Sequence, residues 1–265
     1  FDKDGTLEWL FDQTVKRAME EGLVSRHVSA DGTLVRADAS FKSFVPIELT
    51  MDPDEYRKKL RSQDKDDDEP QDPGNRGVNF RGEKRSNRTH QSTTDPETRL
   101  MRKSNGVAAK LSFSGHVLME NRNGLCVDLA VREATTRAET ETAWEMVARQ
   151  LRRRIRVRSV GADKGYHTAR FIGRLRQSGV TPHVAPIRTR KIPGLDGRTL
   201  RQVSYALSQK ARKRTEEIFG WMKTIGGLRK TRFRGIARTQ QFAHIVAATY
   251  NLLRMSRLVT AEAVT

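Results

Sequence analysis

Residues 157–171 read VRSVGADKGYHTARF, and the order of residue types there decides the fold class. Val157 and Val160 belong to a short run of strand character, residues 156–162, that stops at Gly161-Ala162. The next residue is a carboxylate, Asp163, and Gly165 then leads into a segment of helical character over residues 168–179. A strand that hands over to a helix through a polar corner is the repeating step of a sheet covered by helices. In such sheets ligands gather at strand ends, which places Asp163 well for chemistry.

On either side the alternation continues. Residues 2–24 predict an amphipathic helix, and residues 26–37 a strand running past Asp31. Residues 108–120 and 124–134 predict two strands joined through Asn123-Gly124, a pair suited to the left-handed backbone of a tight turn. After them come a helix over 138–154, the strand at 156–162, the helix at 168–179, a short strand at 181–186, a basic loop, and one long helix from about Ser208 to Ile225. Strands first and strand–helix alternation afterwards predict an α/β fold, a mixed sheet flanked by helices, in the order of the ribonuclease H-like fold. The tract 61–99 mixes charges, Pro and Gly with almost no apolar residues, so it predicts a disordered polar insert after the first strand, within about 50–100. The expected division is therefore residues 1–27 as the end of a truncated helical N-terminal region, 28–258 as the main domain and 259–265 as a tail.

Composition narrows the partners. The 265 residues are 36% apolar and carry a formal charge of +18, with a pI near 10.6, which favours polyanions over acidic metabolites. Residues 1–100 hold 17 Lys and Arg against 21 Asp and Glu, so residues 101–265 hold 33 against 11, a net of +22. The basic surface thus belongs to the second part. A single cysteine, Cys126, excludes an internal disulfide and a cysteine-based zinc site, and no apolar run approaches the roughly 20 residues of a membrane span. These features read as a reduced, cytoplasmic, soluble chain without membrane contact.

Asp31 is the natural companion of Asp163, since two carboxylates on neighbouring strands can hold a hard divalent cation. Asp followed by Gly-Thr or Lys-Gly is also ordinary turn or cap chemistry, and the residues alone leave both readings open. On the last helix, steps of about 100° put Arg212, Glu216 and Lys223 on one stripe and Ala211, Ile218, Met222 and Ile225 opposite. That stripe is either a solvated Arg–Glu surface or a carboxylate completing a metal site between two phosphate-binding cations. Trp221, about 140° from Glu216, borders the core face and reads as packing rather than as a stacking platform. His167 reads as a residue leading into a helix, and His116, His244, Tyr250 and Cys126 as core residues. Asp38 and Asp128 fall outside the pattern, one seven residues past Asp31, the other in mid-strand.

Three blocks carry a resemblance: SADGTLVRADAS (29–40), VGADKGYHT (160–168) and RKRTEEIFGWMK (212–223), followed by RTQQFAHIVAATYNLLRM (238–255). In this order they resemble the DDE transposases of bacterial insertion sequences, in the broad group named after insertion sequence five. The resemblance runs over most of residues 20–258 apart from the polar insert. It implies Asp31, Asp163 and Glu216 as the catalytic, metal-holding triad, with Glu217 as the nearest rival of Glu216. It also implies two Mg²⁺ ions, which Mn²⁺ can replace, and cleavage of element ends followed by strand transfer. The partners it implies are double-stranded DNA, at transposon ends and target, and a second copy of the chain in the DNA complex. Arg212 and Lys223 would bind phosphates near the scissile bond, and Arg188, Arg190, Lys191, Arg229, Lys230, Arg232 and Arg234 the backbone further out. The family's tyrosine is Gln209 here, which removes one contact to the DNA end. A stand-alone nuclease of the same fold and an inactive DNA-binding remnant are the alternatives, separated by strand-transfer activity and by metal dependence.

Overall fold

The computed structural model describes residues 4–47, 79–80, 83–104, 106–136, 138–153, 155–187 and 189–262. Helix α1 (Thr6–Glu20) leads into β1 (His27–Arg36), the longest parallel-paired strand and the centre of the sheet. The hairpin of β7 (Lys110–Glu120) and β8 (Cys126–Glu133) follows. Its turn places Gly124 at φ 75°, and the buried Glu120 carboxylate accepts from the Ser25, Arg122, Asn123 and Leu125 amides, which fixes the corner. β7 runs antiparallel to β1, with Asp31 opposite Val117, and antiparallel to β8 on its other edge. Next come α2 (Ala138–Arg152), β9 (Ser159–Ala162), α3 (Ala169–Gln177) and β10 (Thr181–Val184). β9 lies parallel to both β1 and β10. The order is β10-β9-β1-β7, with β8 and β6 (Arg99–Met101) sharing the far edge of β7. This is the mixed, helix-flanked sheet of the ribonuclease H-like fold that the alternation predicts.

The core forms where sheet faces meet helices. Val28, Ala30, Val160, Leu118 and Met119 are fully covered, as are Ile172 and Leu175 of α3. The final helix α7 (Ile236–Glu262) closes the domain. Its Asn251 amide both accepts from Cys126 N (2.9 Å) and donates to Cys126 O (2.8 Å), supplying the β8 edge with the partners a further strand would give. Phe11 of α1 stacks on His244 of α7 at 5.8 Å, and Asn251 also reaches Thr14, so α1 shares this core instead of standing as a separate N-terminal region. Tyr250 donates to Gly124 O and meets Trp221 edge-on, which agrees with the packing roles read for both.

Two expectations change. The proposed insert falls partly outside the described residues, over 48–78, but residues 83–98 are built into the fold. β5 (His90–Ser92) pairs with β2 (Phe44–Pro46), while β3 (Asn79–Phe80) and β4 (Glu83–Lys84) pair with each other. Asp95 and Thr98 are buried, and the Asp95 and Glu97 carboxylates accept from the Gly235 and Ile236 amides at the start of α7. The segment is polar because it caps a helix, not because it is loose. The single helix expected over 208–225 is in fact α5 (Val203–Arg212) and α6 (Thr215–Thr224), after the short α4 (Gly197–Leu200). Between α5 and α6 the amides of Lys213, Arg214, Glu216 and Glu217 each bond three residues back, a tightened turn that redirects the chain.

Candidate active site

The parallel register of β1 and β9 sets Ser29 beside Gly161. Asp31 and Asp163 each lie two residues further on, and Asp163 keeps an extended backbone (φ −81°, ψ −171°), so the period of two brings both carboxylates to one side. The strands approach closely here. A Cβ on Gly161 would sit 2.8 Å from Ser29 Oγ and 3.4 Å from Ser208 O of α5, so a larger residue would push the helix off the strand pair. Gln209 of α5 donates to the Ala162 and His183 carbonyls at the ends of β9 and β10. The residue standing at the family's tyrosine position therefore ties the helix to the sheet.

Each aspartate also performs the cap chemistry that the sequence left open. Asp163 Oδ1 accepts from Gly165 N at 2.7 Å and starts a 3-10 turn over Lys164–Tyr166. Asp31 Oδ1 accepts from Gly32 N at 2.8 Å, and Oδ2 from Thr215 Oγ1 at 2.9 Å. Thr215 is fully buried and opens α6, so its hydroxyl draws the start of that helix onto Asp31. Burial pushes the Asp31 carboxyl above its ordinary 3.8, with the charge of Asp163 adding to it, while the Gly32 amide, the Thr215 hydroxyl and the Arg212 guanidinium pull it down.

A third carboxylate arrives from a place the sequence analysis did not single out. Glu139 sits in the first turn of α2, where an acid ordinarily just complements the helix dipole. A Cβ built on Gly32 would lie 3.4 Å from Glu139 Oε1, and one on Gly165 would lie 3.5 Å from Glu139 Oε2 and 3.1 Å from Asp163 Oδ1. Its two oxygens thus span the gap between the glycines that follow the two aspartates. Burial raises the Glu139 carboxyl, and the charges of Asp163 and Asp31 raise it further. Nothing in the spacing of the sequence marks this residue; only the folded register does.

The residues of the expected stripe separate at the turn between α5 and α6. Arg212 is the last residue of α5, half-buried beside Asp31, and its Nε has no hydrogen-bond partner among the described residues. Lys223, half-buried on α6, donates from Nζ to Thr33 Oγ1, two residues past Asp31 on β1. Burial lowers its ammonium from the ordinary 10.5, and Lys103 and Arg229 lower it further. Glu216 is exposed in the first turn of α6, seven residues and close to two turns before Lys223, hence on the same side of the helix. It is not among the charges that shift Asp31 or Glu139. Glu217, its rival, lies 4.0 Å from Arg214 Nε.

Basic residues lie on both sides. Arg190 and Lys191 are exposed on the loop after β10, where Ile187 N donates to His167 Nδ1; Arg188 lies outside the described residues. Arg229, Lys230, Arg232 and Arg234 are exposed beside the end of β1, where Thr231 N bonds Arg36 O at 2.8 Å. Asp38 holds Lys230 at 2.7 Å, and Asp128 is clasped by Arg149 and Gln150, which explains both residues without chemistry.

Among the described residues, no three His, Cys, Asp or Glu side chains surround one point closely enough to enclose an ion. The donor set still suits a hard divalent cation, because every candidate ligand is a carboxylate oxygen. An unsatisfied group lies with them: the Tyr166 phenol is fully buried, has no hydrogen-bond partner among the described residues, and is pushed well above 10 first by burial and then by Glu139, Asp31 and Asp163.

Among the described residues no helix is long and apolar enough to cross a membrane. A solved structure described as a pre-cleavage Mos1 transpososome is similar at 10% identity and a TM-score of 0.26; the match covers 98% of this chain and 64% of that one, a likeness too slight to carry an argument. No curated protein matches. The transposase DDE domain profile, in contrast, matches residues 22–252, from the approach to β1 through Asn251 of the closing helix, and so takes in both aspartates, Glu139, Glu216 and the two basic flanks. The chain belongs to the transposase DDE domain family.

Proposed function

We propose that this chain performs the strand chemistry of DNA transposition, cleaving double-stranded DNA at element ends and joining the freed 3′ end to a target, with Asp31, Asp163 and Glu216 as ligands of divalent metal. The observation that carries this reading is the β1–β9 register, which sets Asp31 and Asp163 side by side while Thr215 binds the start of α6 to Asp31. Two Mg²⁺ or Mn²⁺ ions held there would activate the attacking oxygen and neutralise the leaving one. Cleavage replaces the P–O3′ bond with a bond to a water oxygen, and transfer repeats the displacement with the 3′-hydroxyl as nucleophile.

The protein's own part is placement and charge. Asp31 is oriented by two hydrogen bonds before substrate arrives, which spares reorganisation at the reacting centre. Glu216 reaches the site from the exposed first turn of α6. Arg212 and Lys223 place positive charge beside Asp31 and Thr33, along the strand on which the scissile phosphate would rest. The loops carrying Arg190 and Lys191 on one side, and Arg229 to Arg234 on the other, would grip backbone phosphates on both flanks. Two ends must be held together for joining, so the reading includes a homodimer on DNA.

The test is Glu216→Gln on cognate ends. Mg²⁺-dependent cleavage is expected to fall by orders of magnitude while end binding persists or tightens, because a negative charge has gone. Near-normal cleavage would remove Glu216 from the site and turn attention to Glu217. Cleavage without joining to a supplied target would instead indicate a stand-alone nuclease.

A further inference from the structure

The proposed triad leaves Glu139 unexplained. It does not pair with a cation among the described residues, yet burial and two like charges all oppose its ionisation. An exposed position one turn along α2 would serve the helix dipole as well, as Glu141 does, which bonds Arg170 at 2.7 Å. Glu139 instead extends over the backbone of β1 and the Asp163 turn, with Oε1 beside Gly32 and Oε2 beside Gly165. Both positions are glycines, and a Cβ at either would crowd this carboxylate or its neighbours: His116 Nδ1 would be at 3.1 Å from Gly32, and Asp163 Oδ1 at 3.1 Å from Gly165. The chain thus keeps a narrow space open for three acidic groups from β1, the β9 turn and α2.

A second observation points to a ligand there. The Tyr166 side chain is 1% exposed, and its hydroxyl has no partner among the described residues. The charges acting on it are those of the same three carboxylates, Glu139 foremost, opposed by Arg212. A buried phenol left unpaired beside three carboxylates costs about 1–3 kcal/mol unless something else satisfies it. A hydrated hard cation would satisfy both sides: it takes carboxylate oxygens directly and offers water to the phenol.

We propose that Glu139 is a metal ligand of this chain, forming with Asp31 and Asp163 a divalent-cation site that fills before DNA binds, with the Tyr166 hydroxyl turned towards it. This inference rests on the proposed reading of Asp31 and Asp163 and adds a residue to it. On this assignment Glu216, exposed at the start of α6, joins only when substrate is in place. The first cation then binds the free protein without Glu216.

The experiment titrates Mn²⁺ alone into the full chain by calorimetry, in the absence of DNA, and records the metal-free melting temperature of each variant. Glu139→Gln is expected to weaken Mn²⁺ binding at least about tenfold, as losing one of three carboxylate charges should. Its metal-free melting temperature should stay equal or rise, since a like charge has been removed. Glu216→Gln should leave Mn²⁺ affinity within about twofold, and Tyr166→Phe should reduce it by a smaller factor than Glu139→Gln. Unchanged affinity in Glu139→Gln, with affinity lost in Asp31→Asn, would overturn the role of Glu139 and leave the aspartate site standing. Unchanged affinity in both would overturn the metal reading itself. A metal-free melting temperature several degrees lower in Glu139→Gln would overturn the proposal by showing that the residue holds the fold.

Discussion

Asp128 and Asp31 occupy neighbouring parts of one sheet and have opposite surroundings. Asp128, on β8, is 5% exposed and fully matched: Arg149 binds both carboxylate oxygens, at 2.7 and 3.0 Å, and Gln150 adds a third bond at 2.8 Å. Asp31 has a threonine, one amide and a nearby arginine, but it also faces Asp163 and shares its surroundings with Glu139. One region spends its charges on cohesion; the other gathers like charges that oppose folding. Strain of that kind persists in a native structure when the rest of the fold over-determines it and a ligand relieves it.

The largest effect that tests this contrast is on stability. Asp128→Asn removes the charge facing Arg149 in a mostly covered site and should cost about 2–4 kcal/mol, read by denaturant unfolding, while cleavage per folded molecule stays normal. A cost below about 0.5 kcal/mol would erase the distinction.

Asp31→Asn should do the reverse. A carboxyl whose folded value lies above its unfolded 3.8 favours the native state while protonated, so that contribution is complete below pH 3.8 and is lost as pH rises through the folded value. In metal-free buffer at pH 7 the variant should therefore melt about 2–4 °C above the wild type, the shift that about 1 kcal/mol gives in a chain of this size. The advantage should vanish as pH falls to 3.8. A variant that melts lower throughout would mean that the Thr215 and Gly32 bonds outweigh the crowding.

Lys230 supplies the smallest test, because its pair with Asp38 at 2.7 Å is half-exposed and belongs to neither region. Lys230→Ala should change stability by less than about 1 kcal/mol. If the lysine leaves Asp38 for a phosphate, the slope of log affinity against log salt should fall by about one; an unchanged slope would confine it to the surface pair.

The parts of this arrangement differ in how they could be read before folding. Asp31 and Asp163 stand in strand-end contexts that periodicity exposes, so the sheet order and both aspartates are legible in the sequence. Glu139 is not, since an acid in the first turn of a helix has an ordinary explanation and only the approach of Gly32 and Gly165 gives it another. The turn between α5 and α6 is equally hidden: KARKRTEE contains no Gly or Pro, and the redirection comes from Thr215 reaching Asp31 across 184 positions. Residues 83–98 misled for the opposite reason. Their polarity suits disorder as well as it suits Asp95 and Glu97 capping α7, and composition cannot tell the two apart.

The pairing of β2 with β5 has a consequence for chain architecture. Ile47 N bonds Thr89 O at 3.0 Å, so the segment between them leaves and rejoins the domain at one point, like a handle with both ends fastened. Closing such a loop costs entropy that grows with the logarithm of its length, about 0.6 kcal/mol per doubling. Within that handle the chain can accept a sizeable foreign module, or be cut and rejoined elsewhere as a circular permutant, at little thermodynamic expense, provided the new sequence returns to Thr89 and leaves the helix-capping carboxylates that follow in register.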